Sequence, residues 1–365
     1  MLPATGIDIS EKEQVRKRGW RWQPILATMA GPVIGVVVGL LIGAVLILVA
    51  KADPIKSYAV LFNGAFGGMR QITETLIQAC PIMIIGLGMC VAYRARVWNI
   101  GAEGQYFMGA LFGGIVALYL PPFLPRIILL PAMLLMGILG GALWGLIPAV
   151  FKIKKGINEI ISTLMLNYIA ILLVQYLARG PLQEPNGYLP QSAQFASVTQ
   201  LPLLFGSRIH IGIIIAVLLA PIVFSLIWST PLGFKLRAVG SRASVARYAG
   251  ARVEGVIIFS MVFSGAMAGL AGIIQVMTYY TRLKGDISLN YGFSGILVAM
   301  LGRLNPFGVV VASIFFAALT IGAQSMHVVY QLPVDLATAI QAIVVLSVLA
   351  VDSIIRRRFP EWIGA

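Results

Sequence analysis

The chain has 365 residues, of which 59% are hydrophobic and only 11% are charged. A soluble globular protein carries about 25% charged residues, so most of this chain must face lipid, which excludes a soluble enzyme, a disordered protein and a secreted disulfide scaffold. The net charge is +14, but the basic residues form short clusters between apolar runs. That pattern is typical of cytoplasmic membrane loops rather than of a nucleic-acid-binding face.

Ten apolar segments follow one another along the chain. A membrane-spanning helix needs about 20 apolar residues, and nine of the segments are close to that length. The other, residues 289–301, is short and rich in Gly and Ser, which fits a half-helix or a re-entrant segment. The predicted fold is therefore all-α, a polytopic membrane protein with about ten transmembrane helices. The segments are residues 25–50, 72–92, 100–120, 127–151, 159–178, 209–229, 256–277, 289–301, 307–326 and 334–352.

The distribution of basic residues predicts the orientation. If the N-terminus is cytoplasmic and all ten segments cross, most of the 27 Lys and Arg residues face the cytoplasm. Both termini are then cytoplasmic. The predicted organisation is a cytoplasmic extension (residues 1–24), a transmembrane domain (25–353) with a cytoplasmic loop at 230–255, and a cytoplasmic tail (354–365).

Charged side chains avoid the middle of the predicted spans. The acidic residues lie near predicted helix starts, where unpaired N–H groups and the helix dipole accommodate a carboxylate. An ion-coupled carrier needs an ionisable group deep in its bundle, and this chain offers neutral groups there. Amides donate and accept hydrogen bonds, which suits an uncharged solute, although hydrogen bonding between helices explains any one of them. These neutral residues are Gln78, Asn167, Gln175, Gln275, Gln324, Thr338 and Gln341.

Cysteine and histidine predict no further chemistry. Cys80 and Cys90 lie on one predicted helix, about 15 Å apart, which is too far for a disulfide. His210 and His327 lack metal-ligand spacing, so no metal site is predicted.

Two segments share the spacing N-x-G-x-x-G, at residues 99–104 and 290–295. On the predicted topology the first opens a helix from the inside and the second from the outside, as an inverted repeat with broken helices would. The chain has 39 glycines, and close helix packing explains either copy equally well. Both interpretations remain open.

The loop at residues 230–252 carries five basic residues separated by small ones. It is too short for a domain, and its pattern fits one or two short helices at the cytoplasmic face. A loop that binds lipid headgroups is the alternative.

Four blocks resemble the permease subunits of bacterial ABC importers for nucleosides and simple sugars, in a superfamily with permeases for ribose and branched-chain amino acids. They are RARVWNIGAEGQYFMGA at residues 94–110, GINEIISTLMLNYIA at 156–170, GFKLRAVGSRASVARYAG at 233–250 and YGFSGILVAMLGRLNPFG at 291–308. The blocks follow the family's order between about residues 70 and 352, so the resemblance covers most of the chain.

The resemblance implies partners in a bacterial plasma (inner) membrane: a second, often non-identical permease, two cytoplasmic ATP-hydrolysing subunits and an extracytoplasmic solute-binding lipoprotein. ATP and Mg would bind the ATPase, so this chain is expected to hold no cofactor and to be no enzyme. Its sequence contains no G-x-x-x-x-G-K-[ST] phosphate loop. The basic loop would be the coupling loop that inserts into the ATPase. The residues matching that pattern are Gly233, Arg237, Gly240, Ala246, Arg247 and Gly250.

The predicted function is to form the translocation pathway for a neutral polar solute, with ATP hydrolysis in a separate subunit supplying the energy. A nucleoside is favoured because Phe293 can stack on a base. A simple sugar is the alternative within the family, and an ion-coupled secondary transporter or an intramembrane enzyme would be alternatives outside it. The expected pathway residues are Asn99, Glu103, Gln105, Asn167, Asn290, Phe293 and Ser294.

Overall fold

The computed structural model describes residues 23–121, 123–185, 187–204, 208–331 and 333–358. Residues 1–22 of the predicted extension and 359–365 of the predicted tail lie outside this part. Within it the chain forms 13 α-helices, one short 3₁₀ turn and one π-helical turn. The helices are α1 (Gln23–Val49), α2 (Pro54–Phe66), α3 (Met69–Arg94), α4 (Ala102–Tyr119), α5 (Arg126–Lys155), α6 (Glu159–Arg179), α7 (Ile211–Ser229), α8 (Pro231–Ser241), α9 (Ala243–Tyr248), α10 (Val253–Gln275), α11 (Tyr291–Leu301), α12 (Pro306–Tyr330) and α13 (Val334–Arg358).

The all-α, polytopic prediction is confirmed. Eight helices of the described part are long and apolar enough to cross a membrane, namely α1, α3, α5, α6, α7, α10, α12 and α13. The two other predicted segments also form helices, α4 and α11, but these two are not among the eight that are long and apolar enough to cross a membrane. The first turn of α4 contains Glu103 and Gln105, and α11 has 11 residues, which is about 16 Å of helix and roughly half of a bilayer core.

Helix α2 has no counterpart among the predicted segments. Its start is well specified, because the Asp53 side chain accepts hydrogen bonds from the backbone of Ile55 and Lys56, and Pro54 occupies the first turn. It packs on α12, where Gly322 lies directly against the carbonyl of Leu61. With only 13 residues it is too short for a search based on membrane spans to detect.

The core forms around α3, in which almost every residue from Ile77 to Tyr93 is buried. Helix α10 packs against α3, α4 and α5. Small residues allow this closeness: a methyl group on Gly141 of α5 would overlap the carbonyl oxygen of Gly265 of α10, and the reverse also holds. Such small-residue contacts replace the hydrophobic driving force that is missing between helices in lipid.

Helices α1 and α13 form a peripheral pair. Gly35 and Gly39 of α1 lie against Val348 and Val344 of α13, while much of the remaining surface of α1 is exposed. Because α13 continues to Arg358, it extends beyond the predicted start of the tail at residue 354. The division into extension, domain and tail stays a prediction.

Candidate functional site

Two non-helical segments enter the bundle, and each leads into one of the N-x-G-x-x-G sequences. Residues 95–101 join α3 to α4. After α10, residues 276–280 form a π-helical turn, and residues 281–290 then lead to α11. Thr281 and Asn290, at the ends of this second segment, have left-handed backbones with φ of 51° and 61°. Non-helical backbone at membrane depth is tolerated only where it is buried in protein or lines a polar cavity.

The first turns of α4 and α11 meet at the carboxylate of Glu103. Glu103 is the second residue of α4 and is 3% exposed. Its Oε2 accepts a hydrogen bond of 2.7 Å from the backbone N–H of Gly292, the second residue of α11. A methyl group on Gly292 would overlap the backbone nitrogen of Glu103. Since both helix N-termini are partly positive, the carboxylate offsets their mutual repulsion.

Asn167 holds the first motif from the side of α6. Its Oδ1 accepts a hydrogen bond from the N–H of Gly104 and its Nδ2 donates to the carbonyl of Ile100, each at 2.8 Å. Thr163, one turn earlier, accepts from the N–H of Ile100 at 3.2 Å. The amide therefore supplies the backbone with the hydrogen bonds that the interruption between α3 and α4 removes.

Asn99 fastens the same motif to α10. Its Nδ2 donates to Oε1 of Gln105 and to Oγ of Ser264, both at 2.8 Å, and its Oδ1 accepts from the N–H of Gly101 at 2.9 Å. Asn99, Gln105 and Ser264 are fully buried. These side chains satisfy one another within the protein.

The seven predicted pathway residues thus fall into two groups. Asn99, Glu103, Gln105 and Asn167 are enclosed in the contacts between the motifs, and Ser294 is also buried. Asn290 and Phe293 are exposed at the start of α11. A pathway role for any of the seven stays a prediction.

A cavity of about 820 Å³ opens at the end of the bundle where residues 281–290 enter it, and its wall combines aromatic and amide groups. At its floor the hydroxyl of Tyr291 donates to Oε1 of Gln78 at 2.9 Å, and Nε2 of Gln275 donates to that hydroxyl at 3.4 Å. Because Tyr291 directly precedes Gly292, the floor and the Glu103 contact belong to one turn of α11.

The mouth of the cavity carries charges of both signs. Glu74 pairs with Arg208, and Lys284 pairs with Asp286 at 3.2 Å while lying 4.8 Å from the ring centre of Tyr280. Glu74 is the sixth residue of α3, which begins at Met69 rather than at the predicted residue 72. Its carboxylate pairs with Arg208 in the loop that precedes α7.

Sequence reasoning missed the aromatic wall. Tyr279 and Tyr280 are the last two residues of the π-turn, and Tyr291 lies inside the second motif. Tyr291 was detectable, since it stands beside the predicted Asn290. The role of Tyr279 and Tyr280 depends on the π-turn, which apolar composition does not show. Gln78, Gln275 and Gln324 were recognised as deep neutral groups without being assigned to a cavity.

The opposite end of the bundle carries two short helices, as predicted for the basic loop. Three of the six predicted coupling residues, Gly233, Gly240 and Ala246, are buried on the inner side of α8 and α9. Arg237 also turns inward, because its Nη1 donates to the carbonyl of Ile227 at 2.6 Å.

The outer face of these helices combines exposed hydrophobic side chains with exposed basic ones. Arg247 is exposed and pairs with Glu254, and Gly250 is exposed with φ of 83°. The large exposed hydrophobic residues are Phe234, Val245 and Tyr248, the last 95% exposed. Sequence reasoning missed these three because it followed the arginines. Contact between the six predicted residues and a partner stays a prediction.

Comparisons with known proteins agree with the resemblance. A family model for the permease component of branched-chain amino acid transport systems matches residues 71–349. A glucose ABC transporter permease protein of Haloferax volcanii is 36% identical over 89% of this chain and 88% of its own length. A guanosine ABC transporter permease protein of Bacillus subtilis is 36% identical over 88% of this chain and 93% of its own. A nucleoside ABC transporter permease protein of Lactococcus lactis is 33% identical over 81% and 84%. No solved structure matches.

Proposed function

Since the chain belongs to the family of permease components of branched-chain amino acid-type ABC transport systems, we propose that it forms part of a nucleoside import pathway in a bacterial plasma membrane. The observation that carries the choice of solute is the cavity floor, where Tyr291 and Gln78 are joined by a hydrogen bond and Tyr279 and Tyr280 stand nearby. Aromatic faces stack on a heterocyclic base, and amides pair with its edge.

The mouth of the cavity suits the sugar part of a nucleoside. Asp286 and Glu74 carry carboxylates that accept hydrogen bonds from hydroxyl groups, and each is paired with a basic side chain. Arg70 adds one further positive charge to the lining. A cavity of about 820 Å³ falls within the range of small-molecule sites. The relatives from Bacillus and Lactococcus, named for guanosine and for nucleosides, support the same choice.

A simple sugar is the second candidate, because the Haloferax relative named for glucose is as similar as the guanosine permease. The two candidates differ in what they require of the tyrosines. A sugar needs an apolar face for its C–H groups, whereas a base gains additional stacking energy from a full aromatic ring.

We propose one location for each partner. The ATP-hydrolysing subunits would bind the exposed face of α8 and α9, and the solute-binding lipoprotein would bind at the cavity mouth. A second, non-identical permease would complete the pathway; Bacillus subtilis has a further guanosine-named permease protein that is 27% identical to this chain. ATP and Mg would bind the ATPase subunits.

Uptake by vesicles that contain the complete transporter tests the solute. We expect labelled guanosine to be taken up and unlabelled glucose not to compete with it. The Tyr280→Leu variant should slow guanosine uptake several-fold, while Tyr188→Leu, which alters a fully exposed tyrosine away from the cavity, should not. Uptake of glucose without guanosine would refute the nucleoside proposal and support the sugar.

A further inference from the structure

Two guanidinium groups lie over the indole ring of Trp228, near the end of α7. Arg94, the last residue of α3, has its guanidinium carbon 4.9 Å from the ring centre. Arg237, in the middle of α8, lies 4.6 Å from the same centre. A cation over an indole face is attracted by the negative charge density of the ring. Without the ring, the two like charges would repel each other.

Each arginine also binds backbone. Arg237 donates to the carbonyl of Ile227 at 2.6 Å. Arg94 donates from Nη2 to the carbonyl of Leu304 at 3.1 Å, in the turn between α11 and α12. Leu304 has a left-handed backbone with φ of 53°, which is uncommon for a residue with a side chain. Trp228 therefore stands where α3, α7, α8 and the start of α12 converge.

Helix α8 touches the end of α3 directly. A methyl group on Gly240 of α8 would collide with the carbonyl oxygen of Arg94. There is thus no space in which α8 could shift toward α3 without moving it. The backbone contact at Gly240 prevents α8 from moving closer to α3. The contacts of Arg94 and Arg237 with the Trp228 ring oppose movement of α8 away from α3.

Helices α3 and α11 are joined along their length. Near the coupling loop Arg94 binds Leu304, at the cavity floor Gln78 binds Tyr291, and between these points Gly295 of α11 packs against Ile85 of α3. Packed helices fixed at both ends move as one unit. This unit extends from Trp228 to the cavity floor.

We propose that Trp228 is the positioning residue through which movement of α8 reaches α3 and α11, and through them the floor of the cavity. The inference rests on the proposed function, since it requires an ATPase that moves α8. When α8 is displaced, the two arginines keep the end of α3 in register with it. The shift at the other end of α3 then changes how far the Tyr291–Gln78 floor is open.

The test measures accessibility of the cavity, which requires no solute. Gln324 lines the cavity, and the native Cys80 and Cys90 are fully buried, so the variant Gln324→Cys offers one reactive thiol. The complete transporter in vesicles is treated with a membrane-impermeant maleimide, with and without ATP and vanadate. We expect the nucleotide to change the labelling rate several-fold.

Three further substitutions in this background decide the outcome. Trp228→Leu should abolish the nucleotide-dependent change, and Trp228→Phe, which retains an aromatic face, should preserve most of it. Trp98→Leu is the matched control: Trp98 is 43% exposed against 41% for Trp228, it follows α3 at the same end, and its ring packs on Tyr93 at 4.9 Å rather than under two arginines. It should preserve the whole change.

An unaltered response in Trp228→Leu, or an equal loss in Trp98→Leu, would overturn the inference. If Trp228→Leu does not assemble, Arg237→Gln and Arg237→Lys replace it, with loss of the response expected only for the uncharged variant and equal responses contradicting the proposal. Absence of any nucleotide response in the parent complex would instead refute the ATPase coupling on which the inference depends.

Discussion

Glu103 shows how a buried carboxyl group can be accommodated in a membrane protein. Its carboxylate is almost fully enclosed, yet it contacts the N-termini of two helices and accepts the N–H of Gly292. The unpaired N–H groups and the partial positive charge at both helix ends replace the solvation that water would give the carboxyl group. A structural role between the two motifs therefore accounts for an acidic residue inside the bundle.

The variants Glu103→Gln and Glu103→Ala separate charge from hydrogen bonding. Glutamine keeps an acceptor for Gly292 but loses the charge, whereas alanine loses both. We expect thermal unfolding of the purified chain to show a larger loss of stability for Glu103→Ala than for Glu103→Gln. A hydrogen bond to a charged group contributes about 1.5–3 kcal/mol to stability.

The matched control is Glu254→Ala, because Glu254 is also the second residue of its helix but is half exposed. Its ion pair with Arg247 is worth about 0–1 kcal/mol at the surface. Equal losses at positions 103 and 254 would contradict the role of Glu103 in joining α4 to α11.

At the scale of single elements, His210 makes the start of α7 sensitive to acid. The residue is buried, both ring nitrogens lack a hydrogen-bond partner within the described residues, and burial lowers the pKa of His210 to about 4. An unfolded histidine titrates near 6.5. The folded protein therefore binds fewer protons than the unfolded one between these values, so stability falls as the pH falls from about 6.5 to 4.

Replacing His210 with Phe should remove this dependence. Between pH 6.5 and 4, His210 is expected to lower the free energy of unfolding of the parent chain by at most about 3 kcal/mol. The variant should not show this part of the loss. Melting temperatures measured from pH 7.5 to 4.5 provide the comparison. Identical pH profiles for the two proteins would show that His210 is not the group responsible.

Helices whose position follows from local composition alone, such as a long apolar run, were predictable from the sequence. Long apolar runs yielded eight spans, and the Gly and Ser content of residues 289–301 indicated the short helix α11. Helix α2 was missed because its start depends on the Asp53 cap rather than on apolar length. The cavity was missed because its wall comes from α3, α12 and the π-turn after α10, which no local pattern brings together.

The same distinction applies within the candidate sites. Motif spacing singled out Asn99 and Glu103, and depth within a span singled out Asn167, but neither signal could show whether these residues face a pathway or one another, because this depends on helix packing. Likewise, the basic pattern of residues 230–252 indicated a coupling loop, whereas the direction of Arg237 depends on the position of Trp228.

The cavity and helices α8 and α9 lie at opposite ends of the molecule. The cavity lies at the start of α3 and α8 lies at its end; α3 has 26 residues, which is about 39 Å of helix. Coupling between the two ends would require a mechanical link over this distance, and we propose that the unit formed by α3 and α11 provides it. The positive-inside pattern predicts that the end with α8 and α9 is cytoplasmic.

Single cysteines at Tyr188 and Arg242 test this orientation. Tyr188 is fully exposed in the loop before α7, and Arg242 is exposed between α8 and α9. In intact cells we expect an impermeant maleimide to label Tyr188→Cys, whereas Arg242→Cys should react only after the membrane is opened. Labelling of both from outside would contradict the predicted topology.

We propose that this permease imports nucleosides with energy from ATP bound at the α8–α9 end. The most direct measurement is accumulation of labelled guanosine in vesicles containing the complete transporter, with the solute-binding protein on the cavity side. The account predicts accumulation against a gradient only when ATP is present on the α8–α9 side, and no dependence on a proton or sodium gradient. Accumulation driven by an ion gradient without ATP would contradict it.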